Sequence, residues 1–161
     1  MVEAVHATTL GALVGIVALD PFAGMRRARD WSGWLTGQQR LDRVMSRVAP
    51  ALFLSATAAA AGATVVAISD HRAVLAVGRA VATGCTAAAI AVTLVVNEPS
   101  NARIRGWRPS DPPPEGWQAV RTRWNQGHRS RRVLVAAAAG ASLGGSVAAR
   151  RLGTGSPTRR R

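Results

Sequence analysis

Four stretches of this chain are apolar all the way round a helix, and that limits the folds open to it. They run from Ala4 to about Phe22, Val48 to Ser69, Val74 to Val96 and Val133 to Ala149. Each is close to the ~20 residues that cross a bilayer as a helix. A run such as ATAAAAGATVVAIS has no polar face, whereas the surface helix of a soluble protein carries one. Four helices cannot bury one another on every side in water, and lipid removes the conflict. Aromatic residues make up only 4% of the 161 residues, too little bulk to fill a soluble core of that size. The expected fold is all-α: an integral membrane four-helix bundle, one domain over residues 1–149, followed by a basic, disordered tail at 150–161.

The first apolar run does not read as a secretory leader. A leader needs a positive start, and this chain begins Met1-Val2-Glu3, with Arg26-Arg27 on the far side of the run. It reads as an uncleaved membrane helix. Gly11 and Gly15 there, and Gly140 and Gly144 in the fourth run, have the small-xxx-small spacing that lets helix backbones approach in lipid.

A net charge of +13 in a soluble domain points to nucleic acid. Here the arginines are confined to the segments between apolar runs, the pattern of membrane topology signals, and nucleic acid is not an expected partner. Fourteen arginines lie in the two long connections and six in the Asp70–Ala73 link and the tail. That bias puts the long loops in the cytoplasm and both termini outside a cell membrane. Cys85, alone of its kind, forms no internal disulfide and reads as a small buried thiol. His6, His71 and His128 with one cysteine give no metal-ligand spacing. His6 reads as interfacial, like Asp20, and His71 as solvated.

The third run carries a polar stripe. Arg79, Thr83, Thr86, Thr93 and Asn97 fall within about 80° of arc on a helix. Two readings stand. Arg79 snorkels to the headgroups while the threonines bond their own backbone, or the stripe is a polar lining that opens at Asn97.

Between the third and fourth runs lies NEPSNARIRGWRPSDPPPEGWQAVRTRWNQGHRSRR, which holds three of the five tryptophans and eight of the 21 arginines. Pro99 should end the third helix at Asn97. After the Pro112-Pro113-Pro114 run, Glu115 should open an additional amphipathic helix before the fourth membrane helix, with a bend at Gly127 between them. Trp117, Arg121, Trp124 and His128 then share about 60° of helix surface. A guanidinium between two indoles, with an imidazole one turn on, can stack on a planar aromatic molecule and set a titratable group beside it. An aromatic belt at the membrane interface, with arginines on lipid phosphate, accounts for the same residues.

The runs VVNEPSNARIRGW and GWQAVRTRWNQGHRSRR resemble the anthrone-oxygenase-like family of small four-helix membrane proteins. The matching positions are Asn97, Pro99, Asn101, Trp107, Trp117, Arg121, Arg123, Trp124, His128 and Arg129. The resemblance implies oxidation of an electron-rich polycyclic phenolic compound by O2, with no cofactor. It implies His128 as base, Arg121 and Arg129 as stabilisers of the anionic oxygen, Trp107, Trp117 and Trp124 as aromatic walls, and Asn97 and Asn101 as orienting groups. The partners would be membrane lipids, a hydrophobic aromatic small molecule and O2. The alternative is a non-catalytic membrane subunit or lipid-binding module whose Trp–Arg face sits at the interface.

Overall fold

A computed structural model describes residues 1–18, 28 and 30–154. Among them the chain is all-helical: α1 (Val2–Ala18), α2 (Trp31–Ser69), α3 (Ala73–Val92), a π-helical turn (Thr93–Asn97), α4 (Glu98–Arg105) and α5 (Trp117–Thr154). α1 packs on α2, α2 on α3, α3 on α5 and α5 back on α1. The four long helices therefore form an up-down-up-down bundle with α1 diagonal to α3. Among the described residues, three helices are long and apolar enough to cross a membrane, and α1 is a shorter apolar helix. Leu54, Val65, Ile68, Val77, Val81, Leu94, Val133 and Leu143 point outward, as a lipid-facing surface requires. The protein is a membrane bundle.

The interior is built from small side chains. Ala56, Ala60, Ala63 and Ala67 recur every three or four residues along α2, and each is buried. Ala56 and Ala60 meet Leu10 and Leu13 of α1, Ala82 and Ala89 of α3, and Val135 and Ala138 of α5, and Ala67 meets Leu75 and Ala76 of α3. The backbones of α3 and α5 approach closely at Gly78 and Gly145, where an added Cβ on Gly78 would stand 2.7 Å from the carbonyl oxygen of Ala141. Without large side chains, such close approach is how these helices gain van der Waals contact. The expected glycine pairs do not do this work: a Cβ at Gly11, Gly15, Gly140 or Gly144 would meet nothing within 4 Å.

Three boundaries differ from the sequence expectation. α2 starts at Trp31, some seventeen residues early. Asp30 caps it by accepting from the Gly33 N–H at 2.8 Å, and Trp31, Trp34, Leu35 and Gln38 bury one face. Arg40, Arg43 and Arg47 are thus on the exposed side of a helix and not in a loop; Arg26, Arg27, Arg29, Asp20 and the tail after Thr154 lie outside the described residues. Second, Asn97 does not end the third helix. The π turn carries the chain into α4, and Pro99 falls in the first turn of α4, where its missing N–H costs little. Third, the amphipathic helix and the fourth membrane helix are one continuous α5. It follows Gly116, whose φ of 74° suits glycine.

Arg79 does not snorkel. It is 6% exposed and donates to the Ser142 carbonyl, to Ser146 Oγ and to the carboxylate of Glu3. His6 is not interfacial either: it is buried beside this cluster, its Nε2 2.9 Å from Ser142 Oγ. These bonds tie α1 to α3 and α5 at the end of the bundle away from the tryptophans. The stripe does face the interior, yet Thr83 and Thr86 spend their hydroxyl protons on backbone carbonyls within their own helix.

Candidate functional site

The starts of α2 and α5 and the loop after α4 converge at the other end. Four indoles meet there. Trp31 lies 5.3 Å from Trp107 and 5.2 Å from Trp117, and Trp34 lies 5.4 Å from Trp117 (centroid distances). Their mutual tilts between 38° and 68° suit the ring quadrupoles better than face-to-face stacking. The Arg121 guanidinium stands 5.6 Å from the Trp34 ring centre and 5.9 Å from that of Trp117, and donates to the Ala28 carbonyl at 3.1 Å. This cation–π arrangement is held from below and above. Gln39 Nε2 donates to the carbonyls of Ile104 and Trp107, and Trp31 Nε1 donates to that of Asp111. The Trp117–Arg121 face packs against the start of α2, with both side chains half-buried.

One turn further along α5 lies a second layer. Trp124 and His128 stack in parallel, with centroids 5.4 Å apart and planes 9° apart. Both are buried, 6% and 5% exposed. Trp124 Nε1 donates to Asn101 Oδ1 at 2.9 Å, and Asn97 Nδ2 donates to the Trp124 carbonyl at 3.0 Å. From Asn101 a polar chain runs outward through Glu98 and Arg105 to Asp42. Arg131, half-buried, reaches His128 Nδ1 at 3.4 Å with Nη2 and Thr93 Oγ1 at 3.3 Å with Nη1. Asn97 fits because residue 127 is glycine: a Cβ there would collide with its amide. The π turn places Thr93 and Asn97 for these contacts, a usual setting for such turns.

The structure thus brings together Asn97, Asn101, Trp124 and His128 in one layer and Trp107, Trp117 and Arg121 in the next. Arg129 is exposed, and Arg131 is the arginine that reaches His128. Sequence reasoning missed Trp31, Trp34 and Arg131. The first two carried a signal, an i, i+3 aromatic pair just after a capping Asp; Arg131 sits among four nearby arginines that spacing alone does not rank. A cavity of about 810 Å³ opens between α4 and the start of α5, lined by Trp107, Pro99, Pro114, Val120, Arg103 and Arg123 among others. It does not reach His128. Val120 and His128 are two helical turns apart, about 12 Å along the axis, and Trp124 occupies the turn between them.

Among known families, the anthrone oxygenase family matches residues 40–141, well over half of the chain. The chain belongs to that family. No curated protein and no solved structure matches it. The matched segment contains every residue of the Trp124–His128 layer. Trp31 and Trp34, and the Glu3–His6 side of the Arg79 cluster, lie before it, so half of the four-indole cluster is outside the matched residues.

Proposed function

We propose that this anthrone oxygenase relative oxidises an electron-rich polycyclic phenolic substrate with O2 in the membrane, without a resident cofactor. The balance is simple: a ring CH2 and O2 become a ring C=O and water. Loss of the acidic ring proton leaves an aromatic anion that can itself pass an electron to oxygen. The protein then has to dissolve the substrate, hold it and stabilise negative charge on its oxygen. The observation that carries this reading is His128 buried in an apolar bundle, clamped between a stacked indole and an arginine. The indole cluster with Arg121 supplies aromatic walls, and Asn97 and Asn101 fix the geometry of Trp124. The packing of the Trp117–Arg121 face against α2 weighs against a lipid-binding module as the alternative. The arginine bias supports long connections in the cytoplasm.

The test is quinone formation from anthrone under oxygen by the full-length protein in lipid vesicles, with empty vesicles for autoxidation. The wild type should exceed the vesicle background, and His128→Ala should lose ~100-fold or more of the excess. A wild-type rate equal to that of empty vesicles overturns the proposal.

A further inference from the structure

His128 has been treated as a base, and its partner argues otherwise. Arg131 Nη2 lies 3.4 Å from Nδ1 of His128. A guanidinium has five N–H donors and no acceptor, so Nδ1 must be the accepting atom. A neutral imidazole carries one proton, and with Nδ1 accepting it resides on Nε2. On the other side of the pair, Thr93 Oγ1 gives its own proton to the Ala89 carbonyl at 2.9 Å. It therefore meets Arg131 Nη1 as an acceptor. Arg131 therefore donates to both sides, to Thr93 and to His128.

We propose that Arg131 is a positioning residue that locks His128 in the Nε2–H tautomer, so that His128 serves as a hydrogen-bond donor to the substrate's anionic oxygen and not as the base. The inference rests on the oxidation reading for the donor's role, and on the hydrogen bond alone for the tautomer. With Nδ1 engaged by a cation and Nε2 protonated, the ring has no lone pair left for a carbon-bound proton. The ring proton goes to water, and its loss is favoured because the charge left on the substrate oxygen is met by the Nε2–H donor.

The tautomer is measured directly, without turnover. Full-length protein with ¹⁵N-labelled histidine in lipid bilayers gives imidazole signals for His6, His71 and His128, and His128→Gln identifies the last. Near neutral pH, His128 should show an unprotonated, hydrogen-bonded Nδ1 and a protonated Nε2. Arg131→Met should shift it toward the other tautomer, and Arg131→Lys, also donor-only, should restore it. A proton on Nδ1 in the wild type overturns the proposal. Turnover tests the donor role. Glutamine places an N–H near the Nε2 position, so His128→Gln should stay within ~10-fold of wild type where alanine loses ~100-fold. The rate should show no imidazole-like rise between pH 5 and 8. A glutamine variant as inactive as alanine, together with such a rise, overturns the donor role. Failure of the wild type to oxidise anthrone, with the tautomer as expected, leaves the lock standing and removes the oxidation.

Discussion

Gly127→Ala places a methyl group where Asn97 now sits. The new Cβ would stand 2.9 Å from Asn97 Cγ and 3.0 Å from Nδ2, closer still to Oδ1, and Asn97 is 1% exposed, with no space to retreat into. The amide has to move, and its bond to the Trp124 carbonyl breaks. Losing that bond and leaving a buried amide unsatisfied costs ~1–3 kcal/mol on top of ~1 kcal/mol for the bond itself. Replacing a helical glycine by alanine returns up to ~1 kcal/mol. The net effect is a destabilisation of ~1–3 kcal/mol, about 5- to 150-fold in the folding equilibrium. Equilibrium unfolding in mixed micelles, followed by tryptophan fluorescence, reads this directly. The decisive comparison is a double-mutant cycle. In an Asn97→Ala background the obstruction is gone, so Gly127→Ala should be neutral or stabilising there, giving a coupling of ~1–3 kcal/mol. A Gly127→Ala protein as stable as wild type, or one equally destabilised in both backgrounds, refutes the packing argument.

Two glycines of α3 should behave in opposite ways. Gly78→Ala meets backbone on α5 and should cost ~1–3 kcal/mol, while Gly84→Ala, with nothing within 4 Å, should be neutral or gain up to ~1 kcal/mol; the same unfolding assay checks both. At the Arg79 cluster, Glu3→Ala should destabilise more than Arg79→Ala. Removing Glu3, 42% exposed, strands an arginine that is 7% exposed, whereas removing the arginine returns Glu3 to solvent. A larger loss from Arg79→Ala counts against that account. The Asp30 carboxyl is held below its usual range, chiefly by the Gly33 N–H and then by Ser32. A lowered value stabilises the fold fully above the unfolded value near ~4 and loses that contribution as pH falls through the folded value. Asp30→Ala should therefore flatten the acid side of the stability–pH curve; an unchanged acid limb rejects the cap.

Much of the fold was legible because a helix that is apolar all round has only lipid as a consistent environment. The four-helix count and the all-α class follow from that. Where a helix ends was less legible. Val48 looked like a start because arginines precede it, yet Arg40, Arg43 and Arg47 sit on the exposed face of a helix whose other face is Trp34, Leu35 and Gln38. Pro99 looked like a stop, but proline is harmless in a first turn, and the π turn makes its position one. Of the site, the Trp117–Arg121 and Trp124–His128 sets were visible as one helical face. Their separation into two layers was not, since it depends on what α2 and α4 bring against each.

The sequence alone determined the solvent of this protein and the helix face that carries its tryptophans, arginine and histidine, because both depend only on local composition and on 3.6-residue periodicity. The tertiary structure decided which groups that face meets. Trp31 and Trp34 come from a helix more than eighty residues earlier in the chain, Asn97 fits against Gly127, and Arg131, not Arg129, turns inward to His128. Those choices are made by packing across helices, and no spacing within one helix encodes them. His128 itself, legible in the sequence as a titratable group at the end of an aromatic face, meets Arg131 only in the folded chain.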